Sequence, residues 1–216
     1  MDKGENFMFR IKIKGVYQSE SDLTKGKPLL EGAVMFNEGK SLQDAFLKGF
    51  FVGLPLILSM ILLTILKCRT IDYTIWIDGK TGVIFAVMLA VLFLLTYVHE
   101  LIHALFYPKD AVKTIWKAPK QGAYFVYCDA PVKKSRFILL CAAPAVLLGI
   151  VPFIAWYLLA DFIPMPYGLA MVFTAWLMTV MSIGDYANIY HTVRQVPKGA
   201  KVLNYGMHSY WIKEQK

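Results

Sequence analysis

The hydrophobic residues of this chain gather into four long apolar segments that polar stretches separate. The segments span roughly Gly49–Leu66, Gly82–Tyr107, Phe137–Ala160 and Tyr167–Tyr190. Each segment is close to the length of about 20 residues that an α-helix needs to cross the hydrocarbon core of a bilayer. The pattern therefore predicts an all-α polytopic membrane protein with about four transmembrane helices.

Shorter patterns in the polar stretches predict a few strands. Residues Phe9–Lys14 alternate between apolar and polar, and Ala33–Phe36 form a short apolar run. Both patterns are typical of strands, whereas Ser19–Gly26 between them is expected to be a loop. In the connection 108–136, two β-prone stretches flank Lys120-Gln121-Gly122, so we expect a β-hairpin there.

The distribution of lysine and arginine predicts the orientation. Eight lie in the N-terminal region up to Lys48, seven in the second connection and five in the tail, against three and none in the first and third connections. Because basic residues favour the cytosolic side, both termini and the hairpin are expected to be cytosolic. We therefore expect a cytosolic or interfacial N-terminal region (1–44), a four-helix membrane domain (45–191) with a cytosolic hairpin at 108–136, and a cytosolic tail (192–216).

The composition supports this class of protein. Hydrophobic residues make up 57% of the chain and charged residues 18%, whereas soluble domains have about 25% charged residues. Topology and contact with anionic lipid account for the net charge of +8, so nucleic acid is not an expected partner. The start of the chain has no apolar run before a small-residue cleavage site, and we expect a multi-pass protein of a bacterial plasma membrane. The three cysteines lack C-x-x-C spacing and are expected to be free thiols.

One pentapeptide, His99-Glu100-Leu101-Ile102-His103, carries candidate chemistry near the end of the second apolar segment. Helical residues four apart return to nearly the same face, so His99 and His103 can offer two imidazole nitrogens to one metal ion. Glu100 is then available to act on a water molecule at that metal. This is the His-Glu-x-x-His zinc pattern of metalloproteases.

A catalytic zinc ion usually has three protein ligands, and Asp185 is the best candidate for the third. An ionisable residue inside an apolar segment is costly and by default indicates function. His99 lies 17 residues into its segment and Asp185 lies 18 residues into the fourth, or about 26 and 27 Å along each helix. In the four-span arrangement the two residues therefore lie at the same depth. Gly184 is expected to let the two helices approach closely.

These residues resemble those of a known family. A helix ending in His99-Glu100-Leu101-Ile102-His103-Ala104, a β-containing connection and a later Gly184-Asp185 are similar to the putative zincin peptidase family of small bacterial membrane proteins. That family is distantly similar to the site-2 intramembrane metalloproteases. The resemblance extends from about Gly82 to Trp211 and includes Ala142-Ala143-Pro144. It implies a membrane-embedded endopeptidase with Zn²⁺ bound by His99, His103 and Asp185 and with Glu100 as the general base.

The expected partners are the bilayer and a membrane protein or peptide substrate, and the sequence leaves open whether a homo-oligomer forms. One alternative is a non-catalytic, zinc-binding membrane adaptor derived from a protease, and a second is a metal-dependent hydrolase of lipids or small amides. Glu100 favours the protease, because a structural zinc site has no need of a base. Pro144 is expected to kink the third segment near its start, and the sequence leaves a substrate-positioning role for it open.

Overall fold

The computed structural model describes residues 10–39, 42–71, 78–119 and 123–213. The described part is mostly helical, and a π-helical turn (Ala145–Ile150) and a 3₁₀ turn (Ala160–Phe162) flank its fifth α-helix. Its α-helices are α1 (Glu20–Thr24), α2 (Leu42–Cys68), α3 (Gly79–Phe106), α4 (Lys134–Pro144), α5 (Val151–Leu159), α6 (Met165–Met181) and α7 (Ile183–Gln195).

Among the described residues, three helical stretches are long and apolar enough to cross a membrane: Phe46–Cys68, Gly79–Phe106 and Lys134–Phe162. Helices α6 and α7 meet the same criteria as a pair, but a bend of 43° separates them. The fourth predicted segment, Tyr167–Tyr190, is therefore two helices with a bend between them and not one continuous helix. The break falls at Ser182, whose hydroxyl donates to the Met178 carbonyl, and such a bond competes with the helical hydrogen-bond ladder.

Seven strands form two small sheets in the described residues: β1 (Ile11–Val16), β2 (Val34–Met35), β3 (Lys113–Ala118), β4 (Ala123–Tyr127), β5 (Val132–Lys133), β6 (Lys201–Tyr205) and β7 (His208–Ile212). The first sheet has the order β1-β3-β4, with β1 parallel to β3 and β3 antiparallel to β4. The second sheet has the order β2-β7-β6-β5 and is antiparallel throughout.

The predicted hairpin is confirmed as β3–β4, and the predicted short strand at Ala33–Phe36 is confirmed as β2. The hairpin's turn, Lys120-Gln121-Gly122, lies outside the described residues, as does Phe9 of the predicted first strand. The description as all-α understates the strand content, because β5, β6 and β7 were not predicted. The loop predicted at Ser19–Gly26 is wrong in part, since α1 forms there with the Asp22 carboxylate accepting from the Ser19 amide at 3.1 Å.

The chain divides into two compact units. The first contains both sheets and comprises the described residues up to Glu38, residues Glu100–Cys141 and those from His191 onward. Cationic side chains bind backbone carbonyls throughout this unit. Arg136 Nε donates to the Phe106 carbonyl at the end of α3 (2.7 Å), and Lys134 Nζ donates to the Val196 carbonyl just after α7 (2.6 Å). Such contacts satisfy carbonyls that a helix end leaves without partners.

The second unit is helical and comprises Gly39–His99 and Ala142–Tyr190. Glycines on α2 mark where α7 packs closely: a methyl group at Gly49 would collide with the Ile183 carbonyl oxygen, and one at Gly53 would collide with the Tyr186 ring. The core of this unit is apolar and contains Met60, Phe153, Trp156, Ala160, Val172 and Ala175.

Candidate metal centre

The last turns of α3 bring three candidate metal-binding side chains together. The donor atoms of His99, Glu100 and His103 all lie within 4.8 Å of one another. His99 and His103 are buried, and Glu100 is half-buried. The helical periodicity expected from the sequence produces this grouping directly, because His103 lies four residues after His99 and three after Glu100, and both spacings make neighbours on a helix surface. The arrangement could hold a metal ion.

A backbone carbonyl fixes the ring of His103. His103 Nδ1 lies 2.9 Å from the Leu140 carbonyl oxygen of α4. Because a carbonyl oxygen can only accept a hydrogen bond, Nδ1 must carry the proton. In the neutral ring the lone pair is then on Nε2, which is the usual arrangement of a histidine that binds a metal through Nε2.

Asp185 lies beside His99. It is in the first turn of α7, and its Oδ2 is 3.2 Å from His99 Nε2. Both side chains are buried. Two ligands that each lie about 2.0–2.1 Å from a tetrahedral zinc ion are about 3.3 Å apart, so this separation fits two ligands of one ion. The donor set of two imidazoles and a carboxylate is also one that zinc accepts.

The sequence predicted that a neighbouring helix would approach closely at Gly184, but the structure shows no close contact there. A methyl group built at Gly184 would have no atom within 4 Å. The close contacts of this part of the second unit are instead at Gly49 and Gly53, next to Ile183 and Tyr186 on either side of Asp185. The expectation of a close approach at Gly184 is therefore wrong, because Gly184 lies on an exposed face of α7.

Glu100 contacts the hairpin. Its Oε2 accepts a hydrogen bond of 2.8 Å from the Val126 N–H of β4. Val126 faces Ile115 of β3 across the antiparallel ladder, and its N–H is directed away from that strand, as for alternate residues of an antiparallel pair. Strand β4 is at the edge of its sheet in the described residues. The carboxylate of Glu100 therefore lies against the edge of β4, where it binds the Val126 N–H.

One further polar side chain follows His103 by a single turn. Tyr107 is buried, and its hydroxyl accepts a hydrogen bond of 2.9 Å from Asn204 Nδ2 of β6. Burial is the main cause that raises the pKa of the Tyr107 hydroxyl well above its usual value, so this group stays neutral. Tyr107, Leu140 and Val126 were not predicted from the sequence. The sequence gives a signal for Tyr107 alone, because its position four residues after His103 places it on the same face of a helix.

Two other acidic residues and a third histidine have partners away from this group. Asp161 forms an ion pair of 2.7 Å with Lys67, and Asp129 forms one of 2.8 Å with Lys27. His191 Nδ1 is 2.7 Å from Gln195 Nε2. The three cysteines are free thiols, as predicted, with Cys68 exposed and the other two buried.

A family model described as "Putative zincin peptidase" matches residues 92–201, just over half of the 216-residue chain. The matched stretch contains His99, Glu100, His103 and Asp185. No curated protein and no solved structure matches the chain.

Proposed function

Because the chain belongs to the family described as "Putative zincin peptidase", we propose that it is a zinc-dependent endopeptidase that cuts peptide bonds in or near transmembrane segments. The observation that carries the proposal is the group of donor atoms from His99, Glu100 and His103 on one side of α3.

We propose that His99, His103 and Asp185 bind the zinc ion. The 3.2 Å separation of His99 and Asp185 and the protonated Nδ1 of His103 support this set. When bound, zinc would act as a Lewis acid and lower the pKa of a water molecule in its fourth position toward neutrality. Glu100 is not assigned as a ligand, because a peptidase needs a carboxylate that can move a proton.

Glu100 acts as the general base and then as the general acid. Its carboxylate accepts a proton from the attacking water and delivers it to the nitrogen of the leaving amine. The hydrogen bond from the Val126 N–H to Oε2 orients the carboxylate during both transfers. General acid–base catalysis of this kind contributes on the order of 10²–10⁴-fold to the rate.

The edge of β4 is the proposed place of the substrate backbone. A transmembrane helix hides its amides, so the stretch to be cut has to unwind before water can attack. An unwound peptide that adds to β4 as a strand regains hydrogen bonds from the β4 backbone. Because Glu100 is bonded to the Val126 N–H at this edge, a peptide that pairs beside Val126 has its backbone near the base.

The pairing of strands supports a four-span arrangement with both sheets on the cytosolic side. Strand β1 from the N-terminal region pairs with β3 of the second connection, and β6 of the tail pairs with β5 of that connection. Strands that pair with each other lie on the same side of a bilayer. This pairing favours an even number of spans between the regions, with α6 and α7 together as one span. These regions carry most of the lysine and arginine, which favours the cytosolic side.

Zinc content and cleavage, measured on the same variants, test this function. Wild-type protein and Glu100→Gln in detergent should each hold about one zinc ion per chain, while His99→Ala and Asp185→Ala should lose it. Incubation with a panel of single-span membrane peptides, analysed by mass spectrometry, should give products with wild type and none with Glu100→Gln. Glu31→Gln is the control, because Glu31 is exposed and lies outside the site.

Three outcomes would contradict parts of the proposal. Full cleavage by Glu100→Gln would remove Glu100 as the base. Zinc retained by Asp185→Ala would mean that the third ligand is another residue. Zinc bound by wild type without cleavage of any peptide would favour the non-catalytic adaptor.

A further inference from the structure

We propose that Pro144 is a positioning residue for the metal centre: it leaves the Leu140 carbonyl available to hold His103 with its Nε2 toward the metal. This inference rests on the proposed function, because it assigns a role in binding the same zinc ion. It goes beyond the kink that proline produces in any helix. Three features of the structure carry it: the ladder of α4, the partner of the Leu140 carbonyl and the turn after Pro144.

Pro144 interrupts the hydrogen-bond ladder of α4. In an α-helix, the carbonyl of Leu140 would accept a hydrogen bond from the N–H of residue 144. Residue 144 is proline, the last residue of α4, and has no N–H. The proline ring also crowds the carbonyl four residues earlier, which tilts that carbonyl away from the helix axis. Pro144 therefore both removes the usual donor and turns the Leu140 carbonyl outward.

The Leu140 carbonyl has a partner on another helix instead. Its oxygen lies 2.9 Å from His103 Nδ1 of α3. Leu140, Pro144 and His103 are all buried, so water does not readily replace either partner. A histidine bound to a metal usually donates its other ring N–H to a carbonyl or carboxylate, which fixes the tautomer and the orientation of the ring. The Leu140 carbonyl supplies this partner to His103.

The backbone directly after Pro144 is also irregular. The chain continues as a π-helical turn over Ala145–Ile150, in which the N–H of Val151 bonds to the Val146 carbonyl five residues earlier. The hydrogen-bond ladder thus changes its spacing at this proline. Wide turns of this kind inside α-helices are frequently found at functional sites. The irregular backbone lies where the Leu140 carbonyl is used by a side chain of another helix.

Zinc affinity measured by competition with a chelator tests the inference. Pro144→Ala and Pro144→Val both restore an N–H that returns the Leu140 carbonyl to the helical ladder. Loss of a partner of a metal-binding histidine typically costs 10- to 100-fold in metal affinity, so both variants should bind zinc about 10- to 100-fold more weakly than wild type. Pro152→Ala is the matched control, because Pro152 is a helical proline of the same apolar stretch. It should bind zinc as tightly as wild type.

Nitrogen NMR of the histidine rings gives a readout that a purely structural role would not change. The chain has four histidines, and the His103→Gln variant assigns the signal of His103. In metal-free wild type above the histidine pKa, His103 should carry its proton on Nδ1. In the Pro144 variants the same signal should shift toward a mixture of tautomers.

The outcomes separate this inference from the proposed function. Wild-type protein that binds no zinc contradicts the proposed function and with it this inference. Wild type and Pro144 variants with equal affinity contradict the inference alone. Weak binding by Pro144→Ala but not by Pro144→Val would assign the effect to lost volume and overturn it. So would equal weakening in Pro152→Ala. If neither Pro144 variant folds, an Nε2-protonated His103 in wild type still overturns the inference.

Discussion

A methyl group at position 49 should disturb the helix contact nearest Asp185. In the structure, a Cβ added at Gly49 would overlap the Ile183 carbonyl oxygen and lie 3.0 Å from the carbonyl carbon and 3.1 Å from Cγ2 of the same residue. Two of these three atoms are backbone, so no rotation of a side chain can relieve the clash. In Gly49→Ala, either α2 must move away or the start of α7 must shift.

The expected cost follows from this geometry. Overpacking of a well-packed contact costs about 1–3 kcal/mol, and the backbone partner favours the upper part of that range. For a chain of this size, a loss of about 2–3 kcal/mol lowers the midpoint of thermal unfolding by about 4–12 °C. Because Ile183 is two residues before Asp185, zinc affinity should also fall. Thermal unfolding in detergent and chelator competition measure the two effects on one preparation.

Gly184→Ala is the control for this experiment. Gly184 is next to Asp185, is helical and has no atom within 4 Å of an added Cβ. Alanine at an exposed helical position should be neutral or stabilise by up to about 1 kcal/mol. The reasoning is refuted if Gly49→Ala unfolds at the wild-type temperature, or if Gly184→Ala is the more destabilised of the two.

Two further predictions concern the first unit. Burial raises the pKa of the Cys128 thiol from 9.0 to about 11. Because the thiol of the unfolded chain loses its proton at a lower pH than the thiol of the folded chain, the free energy of unfolding should fall by about 2–3 kcal/mol as the pH rises from about 9 to about 11. Unfolding measured against pH should show a shallower fall in Cys128→Ala, and an unchanged slope would contradict the assignment. Lys113 Nζ donates to the carbonyls of Pro108, Lys109 and Ala111 from a fully buried position, so Lys113→Met should cost about 3 kcal/mol in denaturant unfolding. Lys117 is the exposed position of the same strand, so Lys117→Met should change stability by less than about 0.5 kcal/mol; equal effects would refute the role of the buried ammonium.

Part of the candidate site could be predicted because it is local. The positions of His99, Glu100 and His103 on one side of α3 follow from the repeat of an α-helix, and no tertiary information is needed. The placement of Asp185 beside His99 needed one more quantity, the depth of each residue in its apolar segment. Depth is informative because a bilayer would fix the ends of both helices. The assignment of Asp185 as a zinc ligand stays a prediction.

Other features depend on contacts that a single sequence does not encode locally. Glycine is equally permissive at positions 49, 53 and 184, and only the packing of the second unit decides which of them a neighbour approaches. The other three strands of the sheet β2-β7-β6-β5 were missed, although β2 was predicted from its apolar run. Strand β5 has two residues, which is too short for a period of two to be visible. Strands β6 and β7 are joined by a turn that contains Gly206 at φ +60°. A glycine between two β-prone stretches is typical of a hairpin, but this pattern was not recognised within the polar tail.

The most consequential omissions are backbone atoms. Glu100 is held by the N–H of Val126, and His103 is held by the carbonyl of Leu140. Neither contact depends on the side chain at position 126 or 140, so the residue types there carry no trace of the role. Substituting alanine at either position would leave the hydrogen bond in place. A substitution on the backbone's side of such a contact removes it when it introduces or removes a proline, since proline changes which backbone N–H and carbonyl groups can bond. The residue type that reveals the carbonyl of Leu140 is therefore found four positions later, at Pro144.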